Sequence, residues 1–175
     1  MTLHLVRHGR PVIREGVPPH EWELDPAGYD DVWALRESGR LPAVAAWFSS
    51  PEPKALGTAQ LLTDTEIGVV DELREHQRGV TPWYPDLQEW RSSVRGVFSA
   101  PDRPAHPGWE PLRQTAARLI PALRRIVAAH DEEDVVLVGH GTAWTLLVAE
   151  LTDAPPDLAR WETLAMPDVI TVEPS

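Results

Sequence analysis

The sequence predicts an α/β fold, a three-layer α/β/α sandwich with a mostly parallel central sheet. Short apolar runs rich in β-forming residues alternate along the chain with longer amphipathic stretches, which is the pattern of strands joined by covering helices. One of these runs, DVVLVGHG at 134–141, is almost entirely apolar, as expected for a central strand covered on both faces. The alternation favours parallel pairing, because each helix returns the chain to the start of the next strand.

The first strand and the first helix have clear boundary residues. The strand is predicted at 2–8, where TLHLVRH combines apolar residues with β-formers before the chain turns at a glycine. The helix is predicted at 26–39. Asp25 and Pro26 supply its cap and first-turn proline, and Gly39 ends it.

Two further strands and a helix are predicted before an irregular segment. A strand at 43–50 leads into a helix at 51–63, which again starts with a serine and a proline. A weaker strand is expected at 67–73. Residues 76–108 contain five prolines and are expected to be irregular, apart from a short helix around 86–98.

The C-terminal part is predicted to hold the longest helix and the central strand. The long amphipathic helix spans 110–130, with a kink expected at Pro121 because proline has no backbone N–H to donate. The central strand at 134–141 is followed by a helix at 142–151. A last strand is predicted at 168–173.

Length and composition fit one soluble domain over 1–175, with 76–110 expected to form a loop and short-helix cap over its site. The 175 residues are 42% hydrophobic, enough for a substantial core. The chain has no cysteine, which excludes a disulfide framework and fits a reducing compartment. The sequence shows no secretory signal pattern and no run of about 18 apolar residues, so a cytoplasmic location without membrane contact is expected.

The net charge of −11 bears on the binding partners. Nucleic-acid binding normally needs a basic face, so DNA and RNA are not expected as partners. A small anionic substrate is compatible with this charge if its site is locally cationic. The sequence leaves the oligomeric state open.

Polar residues stand at the end of each predicted parallel strand, where α/β proteins bind their ligands. Arg7 and His8 end the first strand, and Lys54 lies about one helical turn beyond the second. Glu75 follows the third strand and His140 ends the central one. Because the carboxyl ends of parallel strands meet at one edge of the sheet, these five side chains form the candidate site.

This set of side chains fits phosphoryl transfer through a phosphohistidine. An arginine binds phosphate with a planar fork, and a lysine adds a point charge to the same anion. A neutral histidine is a competent nucleophile that holds a transferred group covalently. A second, protonated histidine donates to the phosphoryl oxygens. A glutamic acid protonates the leaving oxygen and then deprotonates water. The chemistry requires no cofactor and no metal.

Five segments resemble motifs of the histidine phosphatase superfamily, in its phosphoglycerate mutase-like branch. LVRHGRP resembles the Arg-His-Gly signature, and SSPEPKALGTAQLL resembles the motif Ser-Ser-Pro-x-x-Arg-Ala-x-x-Thr-Ala-x-x-Leu. LDPAGYDDVWAL, LREHQRG and VLVGHGTA are similar to the family's helix start, glutamate motif and second histidine motif. The segments follow the family's order along the chain. The resemblance implies a phosphoglycerate mutase-like fold.

The resemblance also implies a role for each site residue. His8 would be the phosphorylated nucleophile, and Arg7 and His140 would bind the phosphoryl group. Glu75 would donate a proton to the leaving group. Lys54 falls where the family usually has arginine, so it would keep the phosphate-binding charge but lose the fork.

Two alternatives to these roles are open from the sequence. Lys54 is the one lysine among 16 basic residues and is expected at the phosphate, with a surface position as the alternative. Glu75 lies among Arg74, His76 and Arg78, so a solvated charge cluster is the alternative for this segment.

Arg14 is a further candidate for substrate binding. It stands where phosphoglycerate mutases and many relatives carry an asparagine. Its guanidinium would either restore part of the fork lost at Lys54 or bind a second anionic group of the substrate. A solvated surface position in this charged loop is the alternative.

The predicted function is metal-independent hydrolysis of a small phosphate ester through a phosphohistidine on His8. A hydrolase is preferred to a mutase because 76–110 is short for a lid that must keep water from the intermediate. A mutase that needs a bisphosphate primer and a non-catalytic sensor of phosphorylated ligands are the alternatives on the same fold. A metallohydrolase using His4 and His8 is a third, and it would lose activity in chelator.

Overall fold

The central sheet has four parallel strands and one antiparallel edge strand. The computed structural model describes residues 1–173. The strands within these residues are β1 (Leu3–Arg7), β2 (Ala46–Ser49), β3 (Ile67–Val69), β4 (Val135–Gly139) and β5 (Asp168–Val172). They are ordered β3-β2-β4-β1-β5. Strands β1 to β4 run parallel and β5 pairs antiparallel with β1, which confirms the mostly parallel sheet.

Six α-helices within the same residues connect the strands. They are α1 (Tyr29–Glu37), α2 (Pro53–Leu62), α3 (Leu87–Ser99), α4 (Leu112–Ala129), α5 (Gly141–Thr152) and α6 (Leu158–Thr163). Short 3-10 turns occur at Pro19–Glu21, Pro26–Gly28 and Asp71–Leu73.

Two core clusters, one on each face of the sheet, confirm the three-layer sandwich. One joins the sheet to α4 and α5 through Leu119, Leu123, Trp144 and Leu147. The other joins it to α1 and α2 through Val32, Leu35, Ala59 and Leu62. Successive residues of a strand point to opposite faces, so Val135 and Val136 of β4 belong to different clusters.

The strand predicted at 67–73 is wrong beyond Val69, where β3 ends. Residues Asp71–Leu73 form a 3-10 turn instead. The side chain of Leu73 is fully buried in the core beneath α4. Arg118 of α4 donates to the carbonyl oxygens of Glu72 and Arg74, each at 2.7 Å. The burial of Leu73 and the hydrogen bonds from Arg118 explain why this segment does not continue the edge strand.

Other element boundaries differ from the predictions by a few residues. The strand predicted at 43–50 starts at Ala46, whose N–H donates to the carbonyl oxygen of Asp134 at 2.9 Å just before β4 begins. Helix α6 was not predicted, because six residues give too short an apolar pattern. Its cap is visible in the structure, where the carboxylate of Asp157 accepts a hydrogen bond from the N–H of Arg160 at 2.9 Å.

Helix α4 continues through Pro121 without ending. Pro121 is exposed, and so is Ala117, whose carbonyl oxygen loses its helical N–H partner. Water can therefore satisfy that oxygen, which explains why the proline is tolerated on this face. Within residues 1–173, no helix combines the length and apolar character needed to cross a membrane.

His4 lies inside β1, with Val136 and Thr171 as its neighbours on the adjoining strands. It is 8% exposed, and both ring nitrogens lack a hydrogen-bond partner within the described residues. Burial lowers the pKa of His4, partly opposed by Asp134. Across residues 1–173, no group of three or more His, Cys, Asp or Glu side chains is arranged to hold a metal ion. His4 is therefore a neutral core residue with a desolvation cost.

The variant His4→Leu should be more stable than the wild type. Removing two unsatisfied nitrogens of a buried ring should raise the free energy of unfolding by about 1–2 kcal/mol at pH 8. The folded pKa of His4 is lowered, so the unfolded chain takes up the proton first. Wild-type stability therefore falls as pH drops below about 6.5, and the advantage of His4→Leu should grow. Urea unfolding at pH 8 and pH 5.5 measures both effects.

The comparison between variant and wild type isolates His4 from the other buried histidines. His8, His76 and His140 also have lowered pKa values and destabilise both proteins in acid. An advantage that stays constant or shrinks between pH 8 and pH 5.5 would contradict the titration argument.

Candidate active site

The carboxyl ends of β1, β2 and β4 meet at one edge of the sheet. Arg7 of β1 is in register with Gly139 of β4, and Ser49 of β2 with Val138. The ladder continues one residue further, since the N–H of His8 donates to the carbonyl oxygen of Gly139 at 2.9 Å. Helices α2 and α5 begin directly after these ends. The edge therefore brings together His8, Lys54 and His140, as the sequence predicted.

His8 has the geometry of a histidine nucleophile. Its Nδ1 lies 2.7 Å from the carbonyl oxygen of Gly9, which can only accept, so Nδ1 carries the proton. The other nitrogen, Nε2, keeps its lone pair and has no hydrogen-bond partner in the described part of the chain. Burial, with contributions from His140, Lys54 and Arg7, holds the pKa of His8 well below its usual value. The imidazole is therefore neutral with Nε2 free to attack.

Gly9 is required by the close packing of the loop after β1. A Cβ built at this position would lie 2.8 Å from Val32 and 2.9 Å from Leu24. The N–H of Gly9 donates to the hydroxyl of Thr58 at 2.9 Å, and this hydroxyl donates to the carbonyl oxygen of Lys54 at 2.7 Å. The loop is thus tied to α2, which fixes the carbonyl that orients His8.

His140 faces His8 across the site. The ring centroids are 5.2 Å apart in an edge-on arrangement, and the His140 side chain is fully buried. Its Nε2 lies 2.8 Å from the hydroxyl of Ser50, while Nδ1 has no partner within the described residues. Burial and then Lys54 hold the pKa of His140 well below its usual value. The second histidine is therefore neutral before a ligand binds, rather than protonated as expected from the sequence, because burial and the nearby Lys54 disfavour its charged form.

The carboxylate of Glu75 is bound by the N-terminus of α5. Its oxygens accept hydrogen bonds from the N–H groups of Thr142 and Ala143, each at 3.0 Å, and of His76 at 2.9 Å. Burial raises the pKa of Glu75, but Arg78, His140 and these N–H donors outweigh burial and bring the pKa below its usual value. Glu75 is therefore ionised before a ligand binds, beside the positive end of a helix.

The backbone around Glu75 is held on both sides. Its N–H donates to the carboxylate of Glu52 at 2.8 Å. Arg118 of α4 donates to the carbonyl oxygens of Glu72, Arg74 and Glu75, each at 2.7 Å. These contacts fix the position of the Glu75 carboxylate relative to α5.

Lys54 is buried, which contradicts the surface alternative. Its side chain is 5% exposed, and its Nζ donates to the Glu52 carboxylate at 2.5 Å and to the carbonyl oxygen of Pro19 at 2.6 Å. Glu52 is 1% exposed and also lies 3.7 Å from Nε2 of His140. Burial lowers the pKa of Lys54, opposed by Glu52. The lone lysine is part of a buried ion pair at the site.

Arg7 and Arg78 place two guanidinium groups near Glu75. Arg7 donates from Nη1 to the carbonyl oxygen of Leu164, and its Nε is buried without a partner among the described residues. Arg78 is 8% exposed, and its Nη2 lies 2.9 Å from the hydroxyl of Thr142 and 3.7 Å from the Glu75 carboxylate. The solvated-cluster alternative for this segment is therefore wrong for Arg78 and for His76, which is 2% exposed.

Arg14 lies apart from this network. Its side chain is 57% exposed and pairs with Glu23 at 3.4 Å. Within residues 1–173 it shares no hydrogen bond with a site residue. Its role in substrate binding stays a prediction.

Three site residues were missed by the sequence analysis, namely Glu52, Arg78 and Arg118. Glu52 occupies an unspecified position of its motif, and residues two apart do not pair on a helix. It pairs with Lys54 because it is the extended cap residue before α2. A signal for Arg78 was its position three residues after Glu75. Nothing in the sequence pattern pointed to Arg118.

Comparisons with known proteins agree with this architecture. The family model of the histidine phosphatase superfamily (branch 1) matches residues 3–174. Comparison with curated proteins gives no match.

Solved structures similar to this chain include YhfR of Bacillus stearothermophilus, at 26% identity and a TM-score of 0.73, covering 98% of this chain and 90% of that chain. A mycobacterial glucosyl-3-phosphoglycerate phosphatase in complex with VO3 is 25% identical, with a TM-score of 0.71 and coverage of 98% and 92%. A phosphoserine phosphatase of Entamoeba histolytica shares the fold at 19% identity, with a TM-score of 0.70 and coverage of 97% and 89%. The match over nearly the whole chain shows that this protein belongs to the histidine phosphatase superfamily, branch 1.

Proposed function

We propose that this protein is a metal-independent phosphomonoesterase that hydrolyses a small phosphate ester through a phosphohistidine on His8. The observation that carries the proposal is the free Nε2 of a neutral His8, with its other nitrogen bound to a carbonyl oxygen at 2.7 Å. Arg7, Lys54 and His140 lie near enough to lower the pKa of His8, and their groups are suited to binding a phosphoryl group. The mycobacterial relative with 25% identity is a phosphatase, which supports hydrolysis.

In the first step, Nε2 of His8 attacks phosphorus and the bond from phosphorus to the alcohol oxygen breaks. The alcohol oxygen takes a proton from Glu75. Glu75 is ionised before substrate binds. The proton therefore arrives with the substrate, because the negative phosphate raises the pKa of the adjacent carboxyl. The product is phospho-His8 and a free alcohol.

In the second step, water attacks phosphorus of phospho-His8 and the phosphorus–nitrogen bond breaks. The Glu75 carboxylate accepts a proton of this water and gives it up with the departing phosphate, so Glu75 returns to its ionised form. Arg7 and His140 stabilise the phosphoryl oxygens as charge moves onto them. Inorganic phosphate leaves and Nε2 regains its lone pair.

The proposed partner is a small phosphorylated molecule in the cytoplasm, with no nucleic acid or membrane involved. The net charge of −11 makes a polyanion an unfavourable ligand outside the site.

The cap contains one helix, α3, whose Trp90 packs against Trp161 at 5.9 Å between ring centroids. This cap favours hydrolysis over a mutase reaction, since a mutase must keep water from the intermediate.

Phosphate release from a panel of esters in the presence of chelator tests the proposal. The panel contains p-nitrophenyl phosphate, phosphoserine and 3-phosphoglycerate, each with and without a bisphosphate primer. We expect turnover of at least one ester that is unchanged by chelator and independent of primer. Activity that needs the primer would show a mutase, loss in chelator would show a metal enzyme, and phosphate binding without turnover would show a sensor.

A further inference from the structure

The lysine at the usual arginine position is already committed to groups of the protein. Two of the three N–H donors of Lys54 are used, by Glu52 at 2.5 Å and by the carbonyl oxygen of Pro19 at 2.6 Å. Its charge is compensated by a carboxylate that is itself 1% exposed. Lys54 therefore has less to offer an incoming phosphate than its position in the motif suggests.

Arg78 places a guanidinium at the same site from a different loop. Its Nη2 donates to the hydroxyl of Thr142 at 2.9 Å and its Nε to Nδ1 of His76 at 3.3 Å. Its Nη1 has no acceptor within residues 1–173, and the Arg78 side chain is 7% exposed. The rings of Trp90 and Trp109 lie 5.4 and 5.7 Å from its Cζ and hold the guanidinium from the cap side. The group is thus oriented and retains free donors.

The charge balance of the site depends on Arg78. Arg118 pairs with Glu110 at 2.8 Å, so these two charges compensate each other. The remaining cations are Arg7, Lys54 and Arg78, and the remaining buried carboxylates are Glu52 and Glu75. Both histidines are neutral before a ligand binds. Without Arg78, cations and carboxylates would be equal in number, and a phosphate dianion would enter a buried site with no net positive charge to receive it.

We propose that Arg78 is a phosphate-binding residue of this site and supplies the planar fork that Lys54 cannot provide. The inference rests on the proposed function for the identity of the ligand, a phosphate monoester. A guanidinium binds two oxygens of one phosphate with parallel hydrogen bonds, which an ammonium cannot do. The guanidinium that the family usually supplies from the position of Lys54 is here supplied by Arg78, in the loop after Glu75. The position of Lys54 holds an internal ion pair instead.

Calorimetric titration with inorganic phosphate tests this assignment without requiring turnover. Arg78→Met should weaken phosphate binding by about 30- to 100-fold, and Arg78→Lys by about 10-fold, as expected for loss of charge-assisted hydrogen bonds. The matched control is Arg95→Met, which removes the same charge from α3 where Arg95 pairs with Glu162 at 2.9 Å. It should change binding by less than about 2-fold.

The ion pair is tested as a unit with the double variant Glu52→Gln, Lys54→Met. This variant should weaken phosphate binding less than Arg78→Met does. Thermal melting shows whether each variant is folded, and Arg78→Lys keeps the test decisive if Arg78→Met does not fold.

Two results would overturn the assignment of Arg78. The first is that folded Arg78→Met binds inorganic phosphate as tightly as Arg95→Met does. The second is that the double variant Glu52→Gln, Lys54→Met loses more phosphate affinity than Arg78→Met. The proposed function fails separately. If the wild type binds phosphate through Arg78 but hydrolyses no ester, the proposed hydrolase function is contradicted, while the assignment of Arg78 as a phosphate-binding residue stands.

Discussion

Replacing His8 with alanine should abolish phosphate release while phosphate binding remains. Nε2 of His8 is the proposed nucleophile and has no hydrogen-bond partner within the described residues, whereas Nε2 of the neighbouring His140 lies 2.8 Å from the hydroxyl of Ser50. Removing a catalytic nucleophile lowers kcat by about 10⁴-fold or more. Phosphate release from the best ester of the panel measures this loss, and calorimetry with inorganic phosphate shows that the cationic groups are still in place.

Labelling the protein with an ester that carries radioactive phosphorus tests the intermediate directly. Acid-labile, alkali-stable label on the wild type and none on His8→Ala is the expected result, because a phosphorus–nitrogen bond has this stability pattern. The control His130→Ala removes a histidine at the end of α4 that pairs with Glu133 at 2.7 Å, and it should keep both label and activity. Label that persists on His8→Ala would place the nucleophile elsewhere.

Glu75→Gln should lower kcat by about 10²- to 10⁴-fold for esters of simple alcohols, the range for loss of general acid–base catalysis. Glutamine keeps one oxygen, which can accept from the N–H groups of Ala143 and His76, while its NH2 group replaces the oxygen that accepts from Thr142. Glutamine has no acidic proton to donate to the leaving alcohol oxygen. The nitrophenolate of p-nitrophenyl phosphate leaves without a proton, so the first step should be much less affected for this ester. Rates of phospho-His8 formation on the two esters measure the difference.

A structural role for Glu75 would give a different pattern. If Glu75→Gln slowed formation of phospho-His8 equally on both esters, the carboxylate would be orienting the site rather than donating the proton. The control Glu72→Gln removes a nearby exposed carboxylate that pairs with Arg125 at 2.7 Å. It should change neither rate.

The position of the site was predictable because it follows from the order of strands. Arg7, His8 and His140 end neighbouring parallel strands, and parallel strands end at one edge. The same reasoning placed Glu75 there, although its strand prediction was wrong beyond Val69. This error did not change the predicted position of Glu75, because the 3-10 turn leads the chain to the same edge of the sheet as a longer strand would.

The electrostatic environment of the site was not predictable from the sequence. Charged side chains are mostly exposed, so a run such as REHQR favours a solvated surface. Arg78 is buried because the cap places Trp90 and Trp109 against it. Arg118 reaches the carbonyl oxygen of Glu75 from 43 residues further along the chain. Such contacts arise only once helices and cap have packed on the sheet, and no local periodicity encodes them.

The burial of Lys54 leaves the surface of this protein without a lysine side chain. Lys54 is the one lysine of the chain, and it is 4% exposed. Acetylation, ubiquitination and cross-linking at a lysine ε-amine require a free ammonium in solution. On this chain they can act only at a residue locked in the reaction centre. The folded protein therefore offers no accessible lysine for modification. An acyl group found on Lys54 would show that the structure around this residue had opened.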